Sequence, residues 1–590
     1  MKSKTVSKLI AFTTAVVMVM SLAACGGSSV VEKSTSGDVS STTTTTAEQT
    51  TQKKDTVKLR ILVMETGTKW NSFPDNHIAK EIENQTGITF EVVESDETKF
   101  KVLLAGGDLP DIVRADPSKY AKQMIEGNLV IPMDDLINTN GKDITANISS
   151  EIDVAKKFWS NETGKVYYIA PQVVAAPTRQ YLVDIGATVR WDYYKELGTP
   201  EIKNQDDLIK VLTDMVAKHP KTDDGKKTYG VSFWNDWESG LWGYNYYPFF
   251  EGGEANAQGG IMTWKTNTTA LYNRLTTEDS GYWKTITFLN KAKKAGILDP
   301  DALTMKYDDF MAKGTAGQVL FAPSQWSTGD FNKNNAKDGK GYMTIPVGSY
   351  AWTGQISPFG WQDKAYCISS SSKTPDRAMD LLNYFFSYDG CRTLWSGVKG
   401  VDWDVVDGKP VIKDATVKLQ STGGTEWDSS GIQLEKNFMG MGNGVINPAD
   451  GAPLSLFETD EIYASRLSPL EKSFCDQYGV RWPGEIFSKM SSEGTLLNLS
   501  SSAKETAELT INGLISPAVG TPPDDIKKIE AKVVDIAAKR AAALILSKSD
   551  AEFDELKAKT MADFKAADID KVTEWYMKAW SDAKVKVGAK

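Results

Sequence analysis

Few residues in this chain could act as catalytic nucleophiles, general bases or ligands of a transition metal. Its 590 residues include only two histidines, His77 and His219, and four cysteines. A Ser-His-Asp or Cys-His catalytic centre would have to use one of these two histidines, and a histidine-rich metal cluster would need more of them. The supply of residues therefore disfavours both nucleophilic catalysis and a transition-metal centre.

Cys25 differs from the other cysteines because it lies at the end of an N-terminal segment that has the features of a secretory signal. Three lysines precede an apolar run from Leu9 to Met20, which is too short to span a bilayer with ease and is typical of a secretory signal. Residues 22–25 read Leu-Ala-Ala-Cys, a sequence that resembles the bacterial lipobox, in which the cysteine thiol receives a diacylglycerol before cleavage. We predict a lipoprotein signal peptide over residues 1–24 and a lipid on Cys25. The alternative is an ordinary secreted protein with an incidental cysteine.

The other three cysteines are Cys367, Cys391 and Cys475. Their number is odd, and no two of them have the C-x-x-C spacing of a zinc site. They indicate neither a metal site nor a disulfide framework. A single disulfide between two of them is left as an alternative.

Aromatic residues are abundant and could bind a ligand by stacking. They make up 10% of the chain, which has 17 tryptophans, and the densest region runs from Phe233 to Trp264. There they alternate with Asn, Asp, Glu and Gly without the single period of a core strand or helix. A pyranose offers an apolar C–H face to an aromatic ring, and hydroxyls that need polar partners such as Asp, Asn, Gln and Arg. We expect a minority of these rings to contact a sugar and the rest to pack in the core or between lobes.

Size and charge limit the other possibilities. A chain of this length, with 41% hydrophobic residues, should form at least two lobes. The net charge is -10 and no stretch is concentrated in Lys or Arg, which argues against a nucleic-acid partner. No second apolar run reaches membrane-spanning length.

The body of the protein is predicted to begin after a tether. Residues 25–56 are rich in Ser and Thr and too poor in apolar residues to fold, so we predict a disordered segment. A strand is predicted from Val57 to Met64, then a helix from about 76 to 85 and a strand from 88 to 94. This strand-helix-strand spacing predicts a right-handed unit with parallel strands.

A second predicted helix, from Asp96 to Ala105, ends at two glycines, and the next residues open a third strand. Residues 107–113 read Gly-Asp-Leu-Pro-Asp-Ile-Val. Here the chain resembles the family 1 extracellular solute-binding proteins of ABC importers, specifically their large lipoprotein members. Further segments are similar to motifs of that family in the same order along the chain: 127–136, 164–171, 189–198, 308–326 and 374–401.

The resemblance covers the body from Val57 onward and implies a fold. The expected class is α/β and periplasmic-binding-protein-like, with two lobes of mixed sheets joined by multiple hinge crossings and a helical C-terminal region. The expected domains are lobe 1 over 57–175, lobe 2 over 176–360, a return to lobe 1 over 361–400, and further lobe 2 and C-terminal helical segments over 401–590.

The resemblance also implies a function. The protein would capture a carbohydrate, favoured as an oligosaccharide by the aromatic surplus and the long C-terminal region, and deliver it to the permease subunits of an ABC transporter. It would be a monomer, lipid-anchored on the extracellular face of the cell membrane, with no catalytic residues, no metal and no cofactor. The alternatives are an exported glycoside hydrolase, which would need two carboxylates across a cleft, and a binder of peptides or other solutes on the same fold.

Eight residues are predicted to bind the ligand. In α/β folds ligands bind beyond the carboxyl ends of the strands, and by that rule we expect contributions from residues that follow the first and third strands. Trp326 matches the position where the maltodextrin binders of the family place a stacking ring, and Trp361 precedes a predicted strand across a hinge. The full set, with three additions from the aromatic region, is Glu65, Trp70, Asp116, Trp234, Trp242, Tyr246, Trp326 and Trp361.

Two further segments have structural interpretations. Large members of the family often hold a loop with calcium-ligand spacing, but residues 219–229 offer only two carboxylates among several lysines, so a plain polar turn is favoured. Near the C-terminus, residues 521–524 predict a helix start with proline in its first turn, and Ser549 to Glu552 predict a capping box. The apolar and aromatic stripes that follow have the spacing of one buried helix face.

Overall fold

The computed structural model describes residues 55–64, 73–174, 181–183, 185–236, 260–264, 268–347, 350–351, 359–433, 438–498 and 514–589. All of these residues belong to one compact unit, residues 54–590. The predicted signal peptide, Cys25 and all but the last two residues of the tether lie outside the described residues. Within the described ranges, no helix combines the length and the apolar character that crossing a membrane requires.

The first sheet contains the three strands that the N-terminal pattern predicts, together with a fourth strand from later in the chain. Its strands in spatial order are β11 (Ala365–Ile368), β3 (Ile112–Ala115), β1 (Val57–Val63) and β2 (Ile88–Glu94). β1 pairs with β2 and with β3 in parallel, and β11 pairs with β3 in antiparallel orientation. The predicted parallel strand-helix-strand unit is confirmed.

The helices of this unit begin and end where their capping residues require. α1 (His77–Thr86) follows Asn76, whose Oδ1 accepts a hydrogen bond from the backbone N–H of Ala79 at 2.9 Å, and it ends at Gly87 with φ 66°. α2 (Glu97–Gly106) is capped in the same way by Asp96. Polar caps satisfy the free N–H groups of the first turn, and glycine tolerates the left-handed backbone conformation at the C-terminal end of each helix. Both predicted helices are therefore correct to within one residue.

A second mixed sheet lies in the middle of the chain. Its strands in spatial order are β5 (Tyr229–Val231), β8 (Val319–Ser324), β4 (Ile185–Arg190) and β9 (Tyr342–Thr344). β5 and β8 are parallel to each other, whereas β4 is antiparallel to both β8 and β9. Three two-stranded sheets complete the strands of the described ranges: β6 (Met262–Trp264) with β7 (Leu271–Asn273), β10 (Tyr350–Ala351) with β14 (Leu497–Asn498), and β12 (Trp403–Val406) with β13 (Lys409–Ile412).

Helices pack around both sheets. Those in the first half of the chain are α3 (Pro117–Glu126), α4 (Asp134–Asn140), α5 (Lys142–Asn147), α6 (Ser149–Phe158), α7 (Trp191–Glu196), α8 (Gln205–Lys218) and α9 (Gly281–Lys294). Those that follow are α10 (Tyr307–Thr315), α11 (Phe331–Asn335), α12 (Pro375–Phe385), α13 (Tyr388–Ser396), α14 (Asp414–Thr422), α15 (Gly424–Ser430), α16 (Asp460–Ser465), α17 (Pro469–Tyr478), α18 (Pro483–Ser492), α19 (Asp524–Ile545), α20 (Asp550–Ala566) and α21 (Ile569–Val587).

Two hydrophobic cores form, one around each four-stranded sheet. The first includes Leu59 and Phe90, and the second includes Phe321 and the buried faces of the C-terminal helices. This arrangement agrees with the predicted two-lobed α/β fold. The chain after residue 400 contributes to both cores, with Phe457 in the first and Phe564 in the second. The residue boundaries proposed for the lobes remain a prediction.

The C-terminal stripes lie in the second core, as predicted. Phe564, Val572, Tyr576 and Trp580 are all buried, and the Trp580 ring lies 4.7 Å from that of Trp264 between centroids. The predicted capping box before α20 is only half formed. Ser549 caps the backbone N–H of Glu552, but the Glu552 carboxylate accepts a hydrogen bond from Lys548 N–H, one residue before the cap.

Residues 219–229 form a polar turn closed by an antiparallel bridge between Lys221 and Lys227. Its two carboxylates face lysines, because Asp223 pairs with Lys340 and Asp224 pairs with Lys226. The described residues contain no group of three His, Cys, Asp or Glu side chains that could hold a metal ion. Cys367, Cys391 and Cys475 are free and buried, so no disulfide joins them.

Candidate ligand-binding site

A pocket of about 290 Å³ lies at the carboxyl ends of the three parallel strands of the first sheet. Each strand contributes at its end: Met64 follows β1, Glu97 lies just beyond β2, and Asp116 follows β3. The complete lining of described residues is Met64, Glu97, Arg114, Asp116, Lys119, Tyr120, Asp363 and Lys364. The pocket is therefore where an α/β fold is expected to place a ligand, and the predicted Asp116 lines it.

Asp116 also holds the start of α3. Its Oδ1 accepts hydrogen bonds from the Ser118 backbone N–H at 2.9 Å and from the Ser118 hydroxyl at 2.6 Å. Its Oδ2 lies 3.5 Å from the Lys119 ammonium nitrogen. Both oxygens of this carboxylate thus have partners within the protein.

Arg114, on β3, supplies a fixed positive charge to the pocket wall. The residue is 3% exposed, and its guanidinium carbon lies 5.7 Å from the ring centre of Tyr366 and 5.8 Å from that of Phe438. Such contacts with aromatic rings stabilise a buried guanidinium and restrict its orientation.

Asp363 and Lys364 line the pocket although they lie about 250 residues after β3 in the chain. They belong to a single 3₁₀ turn, Gln362–Lys364, which leads directly into β11. β11 pairs with β3 so that Ala365 lies opposite Ala115, and this register brings the turn to the end of β3. Partial burial in the pocket wall raises the pKa of Asp363 above its usual value, although the side chain remains accessible.

Trp361 lies beside this turn and is half-buried. The Lys364 ammonium lies 4.9 Å from the centre of its ring, and its backbone N–H donates to the carbonyl of Pro171 at 2.8 Å. Its indole Nε1 is buried and has no hydrogen-bond partner among the described residues. Trp361 is therefore held next to the pocket, with one polar atom that nothing in the described protein satisfies.

The second sheet carries two predicted tryptophans at the corresponding edge. Trp234 follows β5 and Trp326 follows β8, and because these strands are parallel both residues lie at the carboxyl edge. The two ring centroids are 5.9 Å apart, and Tyr307 contacts both rings. Trp234 is only 1% exposed, whereas Trp326 is half-buried.

The predicted site residues thus fall into two groups. Asp116 and Trp361 lie at or beside the pocket of the first sheet, and Trp234 and Trp326 contact each other on the second. The other four, Glu65, Trp70, Trp242 and Tyr246, lie outside the described residues. Sequence reasoning missed Arg114, Asp363 and Lys364, although the Asp-Lys pair two and three residues after the predicted Trp361 was a usable signal.

Comparisons with known proteins give a consistent result for the fold. A family model described as bacterial extracellular solute-binding protein matches residues 75–390, more than half of the chain. No curated protein sequence matches significantly.

Several solved structures share the fold over nearly the whole chain. The alginate-binding protein AlgQ2, solved without calcium ion, is 18% identical with a TM-score of 0.57, over 89% of this chain and 98% of that one. The S. pneumoniae ABC-transporter substrate-binding protein FusA in complex with kestose is 15% identical with a TM-score of 0.56, over 90% and 100%. An HMO-binding, ABC-transporter-associated solute-binding protein from Bifidobacterium longum infantis is 14% identical with a TM-score of 0.53, over 89% and 99%.

Proposed function

We propose a transport function for this chain from the premise that it belongs to the bacterial extracellular solute-binding protein family. In this proposal it captures a carbohydrate of oligosaccharide size and delivers it to the permease subunits of an ABC transporter. The observation that carries the proposal is the pocket at the carboxyl ends of β1, β2 and β3, walled by charged side chains of both signs.

The chemistry of the pocket suits a sugar. Sugar hydroxyls both donate and accept hydrogen bonds, and the wall offers carboxylates that accept together with ammonium and guanidinium groups that donate. Its volume of about 290 Å³ is near the lower end of the roughly 300–1,000 Å³ of small-molecule sites, which suits one sugar unit of a longer chain. The names of the three similar structures, which mention alginate, kestose and HMO, support the same class of ligand.

The exposed part of Trp326 is proposed to stack on a further sugar unit, with Glu65, Trp70, Trp242, Tyr246 and Trp361 completing the aromatic and polar contacts. Trp234 contacts the Trp326 ring in an edge-to-face arrangement and is almost completely buried, so it would act by supporting that ring. Stacking on aromatic rings and hydrogen bonds to charged groups together explain how a sugar chain with alternating apolar faces and hydroxyl edges would be held.

The remaining features of the proposal concern the setting of the protein. A lipid on Cys25 would anchor the chain to the extracellular face of the cell membrane, and the Ser/Thr-rich tether would let a monomeric body reach the permease. The family consists of binding proteins, and we propose that this chain likewise has no catalytic activity and needs no metal or cofactor.

Calorimetric titration of the full-length protein in detergent would test the proposal. The ligand panel would contain maltotriose, 1-kestose, β-1,4-mannotriose, lacto-N-tetraose and an alginate trisaccharide, with a tripeptide as the control. We expect at least one oligosaccharide to bind with a Kd in the micromolar range or tighter, unchanged by EDTA and without release of shorter sugars. Binding of the peptide alone, or hydrolysis of a bound sugar, would contradict the proposal.

A further inference from the structure

The described wall of the pocket contains three carboxylates, but they are not equally available to a ligand. Asp116 is occupied by Ser118 and Lys119, as described above. Glu97 lies 2.8 Å from the Lys101 ammonium on the exposed side of α2. Asp363 makes no ion pair and no side-chain hydrogen bond with another of the described residues, and its side chain is accessible from the pocket.

A carboxylate in a concave wall is energetically unfavourable unless a ligand forms hydrogen bonds with it. Its charge is partly desolvated there, because the wall replaces some of the water that would otherwise surround it, and this agrees with the raised pKa of Asp363. Sugar hydroxyls would restore the lost hydrogen bonds, since a carboxylate can accept two of them from neighbouring hydroxyl groups of one ring. Lys364 lies next in the chain and lines the same pocket, so donors and acceptors stand side by side.

The charges of the described wall also balance. Arg114, Lys119 and Lys364 supply three positive charges, and Glu97, Asp116 and Asp363 supply three negative charges. An acidic sugar would bring its own carboxylate into a wall with no excess of positive charge and close to the carboxylate of Asp363. The two carboxylates would repel each other, and the repulsion is stronger inside a pocket from which water is partly excluded.

Resting on the carbohydrate function proposed above, we propose that Asp363 is the ligand-binding carboxylate among the described residues of this pocket and that it selects a neutral sugar unit over an acidic one. Asp116, by contrast, serves the fold by capping α3. This assignment adds to the sequence-based expectation, in which Glu65 and Asp116 were the carboxylates of the site and Asp363 was not included.

The test compares three isosteric variants of the full-length protein in detergent: D363N, D116N and, as a control outside the pocket, D554N at an exposed position of α20. The probes are the neutral panel oligosaccharide that binds the wild type most tightly and the same oligosaccharide oxidised at C6 to the uronate. We expect D363N to weaken neutral-sugar binding about tenfold or more, because a charge-assisted hydrogen bond is lost, and to reduce the preference for the neutral over the oxidised sugar. The melting temperature of D363N should stay within a degree or two of the wild type, and D554N should bind like the wild type.

Three results separate the possible failures. If the wild type binds an oligosaccharide and D363N binds it equally well, the assignment of Asp363 is wrong while the carbohydrate function stands. If D116N rather than D363N loses affinity without losing stability, Asp116 is the ligand-binding carboxylate. If the wild type binds no carbohydrate of the panel, the proposed function itself fails. Should D363N melt lower than expected, D363S provides a second variant, and the ratio of affinities for the two probes still reports selectivity in the folded fraction.

Discussion

Replacing Trp326 by alanine should separate ligand binding from stability. The Trp326 ring is half-buried and contacts the rings of Trp234 and Tyr307, at centroid distances of 5.9 and 6.3 Å. Aromatic pairs contribute about 0.5–1.5 kcal/mol each, and these two distances lie toward the far end of the usual range, so the variant should lose about 1–2 kcal/mol of unfolding free energy. A stacked sugar should contribute about 1–3 kcal/mol, by analogy with nucleobases on aromatic rings. The affinity for the preferred oligosaccharide should therefore fall about tenfold or more.

Trp234→Ala is the matched control because Trp234 belongs to the same cluster but is 1% exposed. Removing a buried tryptophan leaves a cavity and typically costs about 3–5 kcal/mol. We therefore expect Trp234→Ala to lower the melting temperature much more than Trp326→Ala does, and to weaken binding less in the protein that remains folded. Thermal unfolding and calorimetric titration of both variants measure the two effects. If Trp326→Ala destabilises as strongly as Trp234→Ala and its folded fraction binds normally, Trp326 is a core residue and our placement of the sugar is wrong.

Other predictions address the anchor, a helix cap and a buried acid. Cys25→Ala should move the protein from the detergent phase to the aqueous phase in a Triton X-114 separation, and its retention with the detergent would argue against lipidation. Asp116→Ala should lower the unfolding free energy by about 0.5–2 kcal/mol in urea titrations, because α3 loses its N-cap; an unchanged midpoint would show that the cap contributes nothing. Burial raises the pKa of Glu151 to about 8, so the folded state keeps a proton that the unfolded state releases near pH 4.5, and stability should fall as the pH rises from about 4.5 to 8. Glu151→Gln removes this titration, so it should flatten the pH dependence of the unfolding free energy and stabilise the protein at pH 7 by roughly 2–4 kcal/mol; an unchanged slope would mean that Glu151 titrates normally.

The first sheet and one wall of the pocket follow from local sequence. β1, α1 and β2 are marked by apolar strands, a polar cap at Asn76 and a terminating glycine at Gly87, all of which act within a few residues. The parallel pairing of β1, β2 and β3 then brings their carboxyl ends to one edge, which is why Asp116 could be placed at the site. The family resemblance supplied the two-lobed fold and the expectation of a carbohydrate ligand.

The second wall of the pocket, formed by Asp363 and Lys364, depends on contacts between distant parts of the chain, which no local pattern specifies. Asp363 enters the pocket because β11 pairs with β3 across some 250 residues, in the register that sets Ala365 opposite Ala115. At Ser549 the Ser-x-x-Glu spacing predicted both bonds of a capping box, but only the bond to the Ser549 side chain forms, because the Glu552 carboxylate accepts from the residue before the cap instead. Spacing shows which groups can meet, whereas long-range packing decides which of them do.

Gly360 shows how tightly that packing fixes the second wall. Its φ is 68°, and a Cβ atom at this position would lie 2.2 Å from the carbonyl oxygen of Pro171, so only glycine fits here without moving the backbone. The next residue, Trp361, donates its backbone N–H to that same carbonyl. Two adjacent residues thus attach the start of the Asp363 turn to the chain that leaves the first core. The position of Asp363 is therefore set by backbone contacts, and for that reason changing its side chain should test its chemistry without disturbing the fold.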